Sequence, residues 1–407
     1  MTAAPEVQTT DPKPPLSPAL IWLALGVILL AANLRPLVVA VGPLLGVIRA
    51  DIHLSATMAG LLTTLPVLCF GAFAPLAPRL SQRIGVEAAL LVTMGIIAAG
   101  ALLRLVPALT ALYAGTVVIG AGIAIGNVLI PSVIKRDFPG RVALMTALYT
   151  TTLCVVPAAA AGFTVPLSHA TGLGWRPSLT LWGLLAVVAA AVWLPRARRH
   201  SRLRSSEVVA IEHPVRGLWR NPLAWMVTAY MGLQSMTFYT VMAWLPTRFA
   251  EAGMTVAAAG GVLSLSSLIS MFGALGAPLL VARGVRPGWV AVFGAGLYLG
   301  ALIGVLFAPV SGAYLWAAML GIGQGLAISL AVLFIVHRSP DNRHTAQLSS
   351  MAQCFGYLLA GIGPLLFGVV HDLTGGWTAP LVVLASVLIP QALAGWGAAQ
   401  NRHVAGR

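Results

Sequence analysis

The sequence predicts an all-α membrane protein with twelve transmembrane helices in two pseudo-symmetric six-helix bundles. Composition is the first observation behind this: of 407 residues, 58% are hydrophobic and only 8% charged, and the mean hydropathy is +0.91. The second is a series of apolar runs, each near the ~20 residues that span a hydrocarbon layer as a helix. The third is internal self-similarity at a shift of about 202 residues, the mark of a duplicated unit.

Residues 1–18 are rich in Pro and Thr and read as a disordered tail. The first run covers 19–42; it is too long for a signal-peptide core and lacks a basic lead, so it is read as a permanent helix. It carries Asn33-Leu34-Arg35-Pro36. At ~1.5 Å per residue, Arg35 lies roughly 21 Å in from Ile21, past the middle of a ~30 Å layer. A guanidinium there stays charged and is costly, so it must face protein or a water-filled cavity and needs a counter-charge.

The next runs are 56–79, 86–106, 110–134, 142–167 and 177–195. The second ends in Ala74-Pro75-Leu76, and the third carries Arg104 near its outer end, where snorkelling to the headgroups is expected. The fourth holds Gly120, Gly122, Gly126 and Asn127, then Pro131 and Lys135-Arg136. No strand precedes these glycines, so they are read as close helix packing and not as a phosphate cradle. The fifth has Tyr149 and Thr150–Thr152, with Pro157 as a kink.

Residues 196–221, with seven Arg and two Glu, form a basic linker between an N-terminal bundle (19–195) and a C-terminal bundle (222–399), before a short tail, 400–407. The second half has runs at 222–246, 255–281, 289–308, 313–336, 345–371 and 379–399. They carry Gln234, Tyr239 and Trp244; Ala277-Pro278-Leu279; Gly321, Gly323 and Gln324; and Gln353, Tyr357 and Gly363-Pro364. At the common shift, Ala74-Pro75-Leu76 meets Ala277-Pro278-Leu279, Gly120 and Gly122 meet Gly321 and Gly323, and Arg136 meets Arg338. Parallel repeats of six helices imply a transporter with its substrate site between the halves, near mid-membrane.

The net charge of +14 does not imply nucleic acid. Most of the 24 Lys and Arg fall on one side of the alternating spans, including Arg79, Arg83, Arg136, Arg283 and Arg338 in or beside the loops expected to gate. Arg49, Arg176 and Arg248 fall on the other. This bias places both termini in the cytoplasm of a multi-pass protein of the bacterial inner membrane, its basic side in contact with anionic lipid. The three cysteines sit in apolar runs and read as small buried hydrophobes, with no disulfide or metal framework.

Several stretches resemble the cyanate permease / 2-nitroimidazole transporter branch of the major facilitator superfamily. They are Asn33-Leu34-Arg35-Pro36 with Gly42-Pro43-Leu44-Leu45, Gly126-Asn127-Val128-Leu129-Ile130-Pro131 with Lys135-Arg136, Met231-Gly232-Leu233-Gln234-Ser235 with Tyr239 and Trp244-Leu245-Pro246, and Gln353 with Gly356-Tyr357 and Gly363-Pro364. The resemblance implies the major facilitator fold and alternating-access transport of small anions or small neutral solutes. One departure stands out: the superfamily's inner loop between helices 2 and 3 usually holds an Asp before basic residues, and here Pro78 precedes Arg79.

The ten acids avoid the interiors of the spans, and the eight histidines avoid mid-membrane, so an intramembrane proton relay has no obvious carrier. The missing counter-charge of Arg35 can then be the ligand itself. On this reading Arg35 anchors a small cyanate-like anion, carboxylate or oxyanion, and Asn33, Asn127, Tyr149, Gln234, Tyr239, Gln324, Gln353 and Tyr357 complete the site. Each also has a structural alternative, Arg35 bonded to helix carbonyls and the amides and phenols joining helices. Uptake of an anion against 100 mV costs about 2.3 kcal/mol per charge and needs a co-transported ion, a counter-anion, consumption inside or a steep gradient. The alternative function is export of small neutral or aromatic compounds such as nitroimidazole-type drugs, with Arg35 structural and Tyr239, Trp244 and Tyr357 forming the site. No phosphate loop of a pump and no catalytic cluster is found, so neither an enzyme nor a cofactor is expected. The expected partners are a small-molecule substrate and lipid, with the chain a monomer.

Overall fold

The computed structural model describes residues 18–54, 56–172, 174–206 and 217–404. The expected tails at 1–17 and 405–407, and residues 207–216 of the expected linker, lie outside them. The first half holds α1 (Pro18–Ala32), α2 (Pro36–Val39), α3 (Val41–Ile52), α4 (Ala56–Phe73), α5 (Leu76–Ile84), α6 (Val86–Leu103), α7 (Leu109–Asp137), α8 (Val142–Thr171), α9 (Trp175–Leu181) and α10 (Leu184–Ser206). The second holds α11 (Pro222–Glu251), α12 (Val256–Ala282), α13 (Pro287–Phe307), α14 (Ala313–Arg338), α15 (Asn342–Thr374) and α16 (Thr378–Ala398).

Among the described residues, ten stretches are long and apolar enough to cross a membrane. The pair α4/α5, bent by 54°, makes an eleventh. The twelfth is α11: its 30 residues are long enough, but Thr228, Gln234, Ser235, Thr237 and Thr240 dilute its apolar character. Three expected single helices are broken. α1 gives way at Asn33–Arg35, because Pro36 has no N–H and disfavours the helical region for the residue before it; Arg35 sits at φ −138°. α4 and α5 divide at Ala74-Pro75, and α9 and α10 at Trp182-Gly183. α10 also runs past Pro195 to Ser206, so the first part of the expected linker is helical.

The glycine pairs show why the repeat exists. A Cβ on Gly120 would lie 2.6 Å from the Cβ of Cys69 on α4, and one on Gly122 would lie 2.7 Å from Ile97 on α6. In the second half a Cβ on Gly321 would meet the Ser266 carbonyl of α12 at 2.4 Å, and one on Gly323 the Gly294 carbonyl of α13 at 2.8 Å. In each half the same two positions let one helix approach two equivalent neighbours, the packing device expected from the sequence. Between halves, α8 packs on α12, and α15 on α4 and α7.

The connections α5–α6, α7–α8, α12–α13 and α14–α15 lie at one end of the bundle, the basic end, with the start of α11 and the chain after α16. There Arg136 bonds Glu87 at 2.5 Å and Asp137 at 2.8 Å, and Arg196 bonds Asp137 at 2.7 Å. Glu87, at the first turn of α6, thus supplies an acid to this end although the preceding loop has none. Arg104 corrects an expectation. It does not snorkel: it is fully buried, and its guanidinium donates to the Leu37 carbonyl at 2.8 Å and the Thr116 hydroxyl at 2.9 Å. It ties the end of α6 to α2, beside the break in the first span.

Candidate functional site

The broken backbone at Asn33–Arg35 borders a cavity, where irregular backbone at membrane depth is tolerated. The cavity lies between the halves. Arg35, Asn127, Pro131 and Tyr149 line it from the first half, and Met231, Gln353 and Tyr357 from the second, with Leu153, Ile328, Val332 and Ile335 as apolar wall. Pro131 also leaves the carbonyl of Asn127, four residues earlier, without its helical donor.

Arg35 keeps part of its surface open. The guanidinium lies within electrostatic reach of the phenols of Tyr239, Tyr357 and Tyr149 and of the thiol of Cys154. Its guanidinium lies 5.6 Å from the ring centre of Phe238. Tyr239 and Tyr357 meet edge to face at 6.4 Å, and Tyr357 meets Phe70 at 5.2 Å. Among the described residues no carboxylate pairs with Arg35. Gln353 donates to Ser349 at 3.2 Å, and its buried carboxamide oxygen has no partner. The site is therefore a cation among phenols that can donate to a small planar anion, and the unpartnered Gln353 oxygen on the same wall can accept from a ligand N–H or O–H.

The structure brings together Arg35, Asn127, Tyr149, Gln353 and Tyr357, with Tyr239 adjoining. It does not bring Asn33, Gln234 and Gln324 to the cavity wall. The Asn33 amide donates to the carbonyls of Leu29 at 2.7 Å and Leu185 at 3.2 Å, joining α1 to α10. Gln234 donates to Ser235 at 2.7 Å and accepts from Gln324 at 3.2 Å, joining α11 to α14. These amide donors join helices, as in the structural alternative, while the Asn33 and Gln324 carboxamide oxygens are buried without a partner. Trp244, assigned to the neutral-solute site, is elsewhere. With Thr240, Arg248, Phe367 and Trp377 it lines a separate cavity, and its indole donates to the Pro364 carbonyl at 2.9 Å. Phe238 and Cys154 are the residues at Arg35 that the sequence did not single out; an aromatic beside Tyr239 and a cysteine four residues after Thr150 carried no signal of their own.

Beside the cavity and on towards the basic end, the halves are bonded. The Thr150 hydroxyl lies 2.6 Å from that of Ser329, and Ser350 donates to the Ala74 carbonyl at 3.1 Å. Lys135 reaches across from α7 to the Val336 carbonyl at 2.8 Å and to the Ser339 carbonyl at the end of α14. Of the expected gating cations, Arg136 is held by Glu87 and Asp137, and Arg338 donates to the Ala398 carbonyl at 2.8 Å, capping α16 within its own half. Arg79, Arg83 and Arg283 are exposed.

The family model of the Major Facilitator Superfamily matches residues 21–364. The chain is 36% identical to the 2-nitroimidazole transporter of Escherichia coli over 94% of its own length and 97% of that protein's. It is 31% identical to the cyanate transport protein CynX of Escherichia coli over 87% and 91% of the two chains. The crystal structure of the transporter FucP in its outward conformation superposes with a TM-score of 0.65 at 16% identity, covering 92% of this chain and 97% of that one.

Proposed function

This chain belongs to the major facilitator superfamily, and from that premise we propose that it is a secondary transporter moving a small anionic solute by alternating access, with Arg35 as the anion anchor. The observation that carries the reading is the Arg35 guanidinium, open to a cavity between the halves and without a carboxylate partner among the described residues. A buried charge of this kind is tolerated where something of opposite sign joins it. Asn127, Tyr149, Gln353 and Tyr357 give the anion further hydrogen bonds. The protein works as a monomer in the bacterial inner membrane, its basic end cytoplasmic, with residues 196–221 linking the bundles.

The relatives leave two ligand types: cyanate is an anion and 2-nitroimidazole a neutral heterocycle. The rings of Phe238, Tyr239 and Tyr357 around Arg35 favour the second reading, a neutral aromatic solute stacked in the cavity. Thermal stabilisation of the purified protein by cyanate, formate, benzoate and 2-nitroimidazole, with Arg35→Ala beside wild type, separates them. A ligand that binds the folded state raises the melting temperature. Stabilisation by an anion, lost in the variant, supports the anion reading. Stabilisation by 2-nitroimidazole alone, equal in both proteins, sinks it.

A further inference from the structure

The absence of any acid at Arg35 bears on how transport is coupled. Among the described residues the carboxylates sit at helix ends and are engaged there. Asp51 accepts from the Trp175 indole at 2.9 Å and Glu251 from the Trp377 indole at 2.7 Å. Glu87 and Asp137 hold Arg136 and Arg196, and Asp341 holds His344 at 2.8 Å. Asp372 lies 3.6 Å from His371. The groups that face Arg35 are phenols and one thiol, which are protonated at neutral pH. Among the described residues the empty site therefore carries one positive charge, and the polar groups beside it are neutral.

Alternating access requires the cavity to close on both sides before it opens on the other. With the site empty, closure strips water from an uncompensated guanidinium in low dielectric. With a monoanion bound, the closing cavity holds a neutral pair, hydrogen-bonded to Tyr357 and its neighbours. The two reorientations differ by this desolvation alone, and the loaded one is faster.

We infer that the carrier is an anion exchanger: inward movement of one monoanion is coupled to outward movement of another, because the empty carrier turns over slowly. The inference rests on the anion reading of the site. It assigns the coupling partner a chemical class, a second monoanion, in place of a proton or a sodium ion. One-for-one exchange moves no net charge, so it is insensitive to membrane potential.

The test uses the purified full chain in proteoliposomes with ¹⁴C-labelled cyanate, formate and benzoate as probes. Vesicles loaded with the same unlabelled anion are expected to take up label about tenfold faster or more than empty vesicles. The difference should persist when a potassium diffusion potential is imposed in either direction. Equal rates in loaded and empty vesicles overturn exchange while leaving the anion reading intact, as does uptake into empty vesicles driven by a proton gradient. Absence of any probe's binding or uptake overturns both. A second measurement needs no transport. Gln353→Glu, or Asn127→Asp where the first does not fold, places a carboxylate on the cavity wall beside Arg35. A Ser339→Cys reporter, buried at the basic end where Lys135 bridges the halves, then reads substrate-free opening by thiol labelling. Labelling about tenfold faster in the acidic variant supports the charge argument; an unchanged rate overturns it.

Discussion

The ammonium of Lys135 donates to the carbonyl of Val336 at 2.8 Å, and so joins the inner ends of α7 and α14 across the two halves. It also bonds the Ser339 carbonyl, the C-cap of α14. A cation at a helix C-terminus satisfies carbonyls that the helix itself leaves free and opposes the negative end of its dipole. Lys135→Met keeps the alkyl stem and removes both bonds. A charged hydrogen bond contributes about 1.5–3 kcal/mol, so the population open at the basic end should rise about tenfold or more. Distance distributions between spin labels on α7 and α14 read this directly. An unchanged distribution would remove Lys135 from the latch.

Much of the fold is legible in the chain because a span in lipid must be long, apolar and helical, and those demands leave few alternatives. The expected run 313–336 and the observed α14, Ala313–Arg338, differ by two residues. What the runs do not carry is which side chains face each other. Arg104 sits near a helix end in sequence, which suits snorkelling, yet its partner is the Leu37 carbonyl, 67 residues away. Gln234 and Gln324 are both amides deep in a span, and no periodicity says that they bond each other. Arg35 was legible for the opposite reason: a lone charge at mid-depth has few places to go. The break beside it is a correction: the run reads as one continuous helix, and Pro36 is the residue that prevents this.

Glu87 binds Arg136 at 2.5 Å and approaches Arg196 at 3.5 Å, with 6% of its side chain exposed. Glu87→Gln keeps the shape and removes the charge, leaving two guanidinium groups to share Asp137. Breaking one side of a fully buried pair costs about 3–5 kcal/mol; Arg136 and Arg196 are each about a quarter to a third exposed, so about 1–2 kcal/mol is expected here. A double-mutant cycle of Glu87→Gln with Arg136→Gln, read by thermal unfolding in detergent, measures the coupling. Strict additivity would show that the pair contributes nothing.

The tightest helix contact in the second half is set by glycine. A Cβ at Gly325 would come within 1.9 Å of the Ser270 carbonyl, and one at Gly273 within 2.2 Å of the Ile322 carbonyl. Both obstacles are backbone, so neither can turn aside. Gly325→Ala must therefore push α12 and α14 apart, at a cost of about 1–3 kcal/mol or more. Gly296 lies on the exposed face of α13 with nothing within 4 Å of such a Cβ. There Gly→Ala should stabilise by up to about 1 kcal/mol through helix propensity. Opposite signs at the two positions, in one unfolding assay, are the expected outcome; equal losses would mean that the close approach is absent.

Cys154 offers a direct reading of the field at the site. It is half-buried and interacts electrostatically with Arg35. A thiol reagent that reaches it meets the field of an uncompensated guanidinium. An anionic methanethiosulfonate should then react faster than a cationic one of similar size, by about tenfold, as expected for attraction focused in a cleft of one sign. Cys69 packs against Gly120 and Cys354 against Gly71, so both are replaced by alanine to leave Cys154 as the reporter. Arg35→Gln should erase the preference between the two reagents. If the preference survives that substitution, the attraction comes from the basic end as a whole and not from Arg35. If the cationic reagent reacts faster, an acid that the site geometry does not contain must be governing the cavity.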